Sequence, residues 1–229
     1  AEGIRYSLEA NRRRKFRNSG SMIWQFNEPW PNVANTCIVD YYAVPKMAYY
    51  WLRKAYEPVH ASLRYDKLLY QPGENFCGEV FLHNSLQATR YRVLCEMMDV
   101  RGGRLLTISR VCEAAENQAG KVHEISLKVP KQENDLFFLR IRVYDMKGTE
   151  ISSNLYVFSQ QEKSVFSNLA RIKGGKLEME MQQGGCHMCN IGSSVCLFIH
   201  GLDNKENGSI FIPENYDSLF PGEEKMFQL

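Results

Sequence analysis

No stretch of this chain approaches the roughly 18 consecutive apolar residues that a bilayer-crossing helix needs. A formal net charge of +2 gives no field that would gather nucleic acid or an acidic membrane. Nucleic acid and membrane are therefore not expected as partners. The nucleophile elbow GxSxG, the phosphate-binding loop, the dinucleotide glycine fingerprint and the HExxH zinc signature are all missing, and with them the chemistry each supports. No cofactor is expected. Disulfides are not indicated either. The seven cysteines are odd in number and scattered, in a chain of 229 residues that is too long to need a disulfide framework. Most lie in apolar runs, as free core cysteines do, which leans toward a reducing, cytoplasmic setting.

Two weaker constellations point nowhere in particular. Cys186-His-Met-Cys189 is a single CxxC, whereas a structural zinc needs four ligands, usually from two such pairs. If this stretch is a strand, the two thiols have opposite parity and face opposite sides, so no metal site is expected. His60, His83, His123, His187 and His200 stand apart in sequence, with no nucleophile or orienting partner to assign, and read as packing or surface residues.

What is present changes period along the chain. Residues 2–17 have helical character, with Ile4, Leu8 and Phe16 apolar among Arg, Lys and Glu, and Asn18-Ser-Gly20 as the stop. The Arg12-to-Lys15 run reads as the solvated end of that helix. Ser21-Met-Ile-Trp-Gln-Phe26 is a short apolar run between turn residues, the pattern of a buried parallel strand. Asn27 to Asn35, with Pro29 and Pro31, is a loop. Pro45 suits a helix start, and Ala48, Trp51, Leu52 and Ala55 form one apolar stripe before Pro58 ends it.

After Pro58 the period becomes 2. Tyr91, Val93, Cys95 and Met97 alternate with Arg92, Leu94, Glu96 and Met98; Phe137, Leu139, Ile141 and Val143 alternate with Phe138, Arg140, Arg142 and Tyr144. Turn signals at Gln71-Pro-Gly73, Arg101-Gly-Gly103, Asn117 to Gly120 and Lys147-Gly148 separate such runs, which predicts an immunoglobulin-like sandwich over 58–159. Its aromatics, Tyr65, Tyr70, Phe76, Phe137, Phe158 and others, are expected to point mostly inward. Gln160 to Lys163 reads as a linker, and 160–229 as a second, small β-sandwich with turns at Gly174-Gly175, Gly184-Gly185 and Asn204 to Gly208.

The segments Glu9-Ala-Asn-Arg-Arg-Arg14, Gly20-Ser-Met-Ile-Trp-Gln-Phe-Asn-Glu-Pro-Trp-Pro31, Val39-Asp-Tyr-Tyr42 and Pro45-Lys-Met-Ala-Tyr-Tyr50 closely resemble glycoside hydrolase family 2, in its β-mannosidase-like branch. Asn215-Tyr-Asp-Ser-Leu-Phe-Pro-Gly-Glu223 looks like the last sandwich of these enzymes. The resemblance implies a mainly β chain: two immunoglobulin-like modules preceded by the last α-β-α piece of a (β/α)8 barrel. Residues 1–57 would be the barrel end, with Ser21–Phe26 as strand 8.

It also implies a retaining hydrolase of terminal β-linked sugars, with two carboxyl groups about 5–5.5 Å apart at barrel strand ends. Both would precede residue 1, so this chain is expected to lack hydrolase activity and to need the remainder of the barrel as partner. Trp24 would line the sugar subsite, offering a flat indole to a C–H face. Asn27, Glu28 and Trp30 would stand at the barrel mouth, where active sites are built. Glu28 follows Asn27 as the acid/base does after strand 4 of this clan, but only one helix and then β pattern follow it, so it is expected as a loop residue. Asp40, Tyr41 and Tyr42 would hold the loop to the last helix. A different class of function remains open: a non-catalytic carbohydrate-binding or structural β-sandwich.

Overall fold

The computed structural model describes residues 1–32, 36–161, 166–201 and 212–228. The turn expected at Asn204 to Gly208, part of the loop at 27–35 and part of the linker at 160–163 lie outside these residues. The chain begins with α1 (Glu2–Arg13) and α2 (Met47–Ala55), and the rest is mainly antiparallel β structure. It divides into two units. One comprises 1–8, 21–53 and 174–229, the other 9–20 and 54–173.

The second unit holds β1 (Val59–Tyr65), β2 (Asn75–Asn84), β3 (Thr89–Met98), β4 (Arg104–Ala114), β5 (Gln118–Lys128), β6 (Leu136–Tyr144) and β7 (Glu150–Ser159). They form a three-stranded sheet, β1-β2-β5, and a four-stranded sheet, β4-β3-β6-β7. Both period-2 segments read in the sequence fall on strands, β3 and β6. Tyr91, Val93, Cys95 and Met97 are buried with Phe137, Leu139, Ile141 and Val143, because alternate side chains point to one side of the pleat. The aromatics meet there: Phe76 lies 5.0 Å from Phe158, and Phe137 stacks on Phe158 at 5.2 Å. Burying such rings is worth roughly 1.5–3 kcal/mol each. Gly73 and Gly148 take left-handed φ of 83° and 94° at two of the expected turns, where a Cβ would be strained.

The outer face of the four-stranded sheet carries a buried carboxylate. Glu96 accepts from Arg142 Nη2 at 2.6 Å, Arg104 Nε at 3.0 Å and Arg140 Nη2 at 3.2 Å. Cross-strand register places Arg140 directly opposite Glu96.

In the first unit β8 (Leu177–Gln182), β9 (Gly185–Asn190) and β12 (Glu224–Gln228) make a sheet in the order β12-β9-β8, and β10 (Cys196–Ile199) pairs with β11 (Asp217–Leu219). Cys186, Met188, Ile199, Ile212, Leu219 and Phe227 form its core. Cys186 is buried and Cys189 only half-buried, as opposite parity on β9 requires. Tyr50 of α2 packs on Tyr216 at 5.3 Å, and Trp51 on Phe198 at 5.5 Å.

Three expectations fail. Ser21–Phe26 is not a strand; Asn27 alone makes an isolated parallel bridge, to Val39. A strand exists by pairing its backbone groups, and among the described residues no strand lies beside this hexapeptide. The first helix stops at Arg13 rather than near residue 17, and Phe16 takes a φ of 69° and is 73% exposed; with nothing to cover it, its apolar ring does not extend the helix. Nor is the Arg12-to-Lys15 run simply solvated. Arg12 donates to Ala55 O, and Arg13 donates to Ser62 Oγ at 3.2 Å and Leu63 O at 3.4 Å. Ala55 O at the end of α2 and Leu63 O on the open edge of β1 draw these guanidinium groups in.

Candidate functional site

The stretch from Trp24 to Lys46 lies within the first unit. Its backbone is tied in two places. Val39 N–H donates to Phe26 O at 3.0 Å and Glu28 N–H to Val39 O at 3.2 Å; Lys46 N–H donates to Ile38 O at 2.9 Å. The segment 36–46 therefore runs alongside 26–28 and leads into α2. Asp40 closes a tight turn, with Oδ1 accepting from Tyr42 N at 2.9 Å and Val44 N at 2.8 Å. This is the usual way an aspartate side chain replaces a backbone turn.

Glu28 is the buried member of the expected site. It is 5% exposed, and its carboxylate accepts from Lys46 Nζ. The pair joins the loop to the approach of α2, so the Lys46 ammonium meets the carboxylate's need for a partner away from water. A carboxylate held this way braces the loop. The sequence pattern gives Lys46 no role of its own, although it is the second residue of Pro45-to-Tyr50, one of the segments that carry the family resemblance.

The other three expected residues face solvent. Trp24 is 84% exposed and Trp30 62% exposed, and Asn27 is exposed as well. The Trp24–Gln25 peptide bond is cis. Tyr41 and Tyr42 add two exposed rings 5.3 Å apart, and Phe26, also exposed, meets Tyr49 edge-on at 6.3 Å. A braced loop of this kind displays flat aromatic faces on which other rings can stack, and an exposed apolar patch marks a surface that meets something else.

Elsewhere, a cleft of about 340 Å³ opens on the β1-β2-β5 sheet beside Arg64, Cys77, Glu79 and Glu124. Three of its lining charges are already paired, Arg64 with Glu79 at 3.0 Å and Glu124 with Lys121 at 2.5 Å, and size alone does not make it a site. Among the described residues no group of three His, Cys, Asp or Glu is arranged to hold a metal ion, and no helix is long and apolar enough to cross a membrane.

Two histidines that the sequence leaves apart are brought together. His60 and His83 face each other across the β1–β2 ladder with rings 6.1 Å apart, and both are buried. No sequence signal marks this pairing, because it depends on strand register.

No protein-family model matches the chain, and no curated protein matches it. Solved structures do. A β-D-mannosidase from Dictyoglomus thermophilum superposes with a TM-score of 0.73 at 20% identity, covering 100% of this chain and 26% of that one. An exo-chitosanase from Amycolatopsis orientalis gives a TM-score of 0.73 at 16% identity, covering 99% of this chain and 30% of that one. A further structure, of that organism's exo-chitosanase with PNP-β-D-glucosamine bound, gives 0.72 at 16% identity. The chain thus has a fold found within β-glycosidases and spans under a third of their length.

Proposed function

We propose that this chain is the C-terminal part of a retaining β-glycosidase of the family-2, β-mannosidase-like kind, whose parent hydrolyses terminal β-linked sugars. In this reading 1–57 closes a (β/α)8 barrel, 58–159 is an immunoglobulin-like module, 160–229 is a second small sandwich, and the remainder of the barrel is the partner of the first segment. Trp24, Asn27, Glu28 and Trp30 belong to the sugar pocket of the intact enzyme. Trp24 and Trp30 supply stacking faces, Asn27 supplies an amide for hydroxyls, and Glu28 shapes the loop through Lys46. Both catalytic carboxylates come from elsewhere in the parent, since the one buried glutamate of this loop is bound to a lysine.

The observation that carries the proposal is the exposure of Trp24 on a loop whose backbone is pinned at Val39 and Lys46. Two assays on the chain as it stands test it. Aryl β-mannoside and β-galactoside should not be turned over; turnover that disappears in Glu28→Gln would make Glu28 an acid/base and overturn the assignment. Titration with manno-oligosaccharides, followed by tryptophan fluorescence, separates the remaining readings. A saturable shift in the isolated chain favours a carbohydrate-binding module that works without the barrel. A flat response fits a subsite that needs the barrel's other strand ends.

A further inference from the structure

The second unit contains a buried polar chain that no sugar chemistry uses. Glu9 is wholly buried, and its carboxylate accepts from Asn154 Nδ2 at 2.7 Å, Tyr156 Oη at 2.7 Å and His60 Nε2 at 3.0 Å. A carboxylate of this kind only accepts, so His60 Nε2 carries a proton. On the other side of the ring, Nδ1 lies 3.4 Å from Ser152 Oγ, which itself donates to Glu57 Oε2 at 2.6 Å. Glu9, His60, Ser152 and Glu57 thus stand in series.

The same groups seal the open edge of β1. Leu63 N–H donates to Tyr156 Oη at 2.9 Å, and Asn154 Nδ2 donates to Ala61 O at 3.2 Å. Edge groups of a strand otherwise seek another strand.

His83 is the weak point. It lies beside His60, is 2% exposed, and shares Ser62 Oγ at 2.7 Å, while its Nδ1 is buried without a hydrogen-bond partner. The charged and titratable groups around the cluster are Glu9, Arg12, Arg13 and Lys15 from residues 9–20, Glu57 and His60 on and just before β1, and Tyr156 on β7. Burial first, then His60, Arg12, Arg13 and Lys15, push the His83 imidazole well below its ordinary 6.5.

We propose that this cluster is an acid-released latch, which fastens residues 9–20 to β1 and β7 while His83 is neutral and lets go when His83 takes a proton. A protonated ring would add a cation beside an imidazole and two guanidinium groups, and would place a proton on Nδ1 where nothing accepts it. Opening hydrates the ring and restores its ordinary titration. Below pH 6.5 the open form then binds one proton more than the closed form, so the latch holds fully above that pH and loosens as pH falls, by about tenfold per unit.

The test is amide hydrogen exchange on the whole chain, corrected for intrinsic rates, at about pH 7 and about pH 5. Leu63 and residues 9–13 should open up to about 30-fold more at the lower pH, while β3 and β6 amides stay protected. His83→Gln keeps a partner for Ser62 and removes the titration, so most of the rise should vanish. An undiminished rise in that variant, or an equal rise across β3 and β6, overturns the proposal. If the variant does not fold, imidazole nitrogen spectra of the unaltered chain decide it: His83 must be neutral near pH 6 while Leu63 is protected, and an imidazolium there overturns the latch.

Discussion

The buried carboxylate of Glu28 is matched by the ammonium of Lys46, eighteen residues further on. The pair closes the loop that displays Trp24 and Trp30. Removing the lysine leaves a carboxylate with 4% side-chain exposure beside an apolar substitute, whereas Lys46 itself is 39% exposed. Lys46→Met should therefore destabilise the chain by about 1–3 kcal/mol, less than the 3–5 of a fully buried pair. Adding Glu28→Gln to Lys46→Met should recover part of that loss, a coupling that urea unfolding of the two singles and the double measures. Strict additivity would show that the pair braces nothing.

Trp24 should behave in the opposite way. Its ring faces solvent, so Trp24→Ala should change stability by no more than about 0.5 kcal/mol. Any fluorescence response to manno-oligosaccharides should disappear with it. A large loss of stability would mean the indole is packed rather than displayed.

Glu96 gives the acid limb of stability a second component. Burial raises its carboxyl, but Arg140 and Arg142 more than reverse this and hold it below the ordinary 4.5. The folded form therefore binds the proton less readily than the unfolded form. The contribution is complete above pH 4.5 and is lost as pH falls through the lower folded value. Glu96→Gln leaves three guanidinium groups around a neutral amide and should cost about 3–5 kcal/mol at neutral pH. It should also flatten the pH dependence of urea midpoints below about 4.5.

Thiol reactivity should separate the cysteines by environment. Cys95 is buried on β3, and burial, with Glu96 beside it, pushes its thiol up to about 12. Cys77 is exposed on β2. Thiolate is the reactive form, so at about pH 8 Ellman's reagent should label Cys77 in the native chain. Cys95 should react only on unfolding. Rapid native labelling of Cys95 would contradict the packing of the four-stranded sheet.

Much of the β structure was legible because it follows from local chemistry. β3 and β6 sit on the two alternating segments, and Gly73, Gly102 and Gly148 take positive φ at the expected turns. The helix at Met47–Ala55 follows Pro45 and stops before Pro58. Ser21–Phe26 misled because an apolar hexapeptide satisfies the pattern of a strand whether or not a neighbour is there to pair with it. Of the expected site, Trp24, Asn27, Glu28 and Trp30 were named from their segment. The sequence could not show that the first, second and fourth stand in solvent while the third is buried against Lys46.

The alternation of side chains, the turn glycines and the prolines determined where strands, turns and the second helix lie, since each constrains the backbone within a few residues. Tertiary packing decided the rest. Glu9 meets Tyr156 across 147 positions and His60 meets Glu9 across 51, contacts that no local pattern encodes. A buried charge takes whichever donor the packed elements bring to it, and the packing of helix on strands rather than residue order selects that donor.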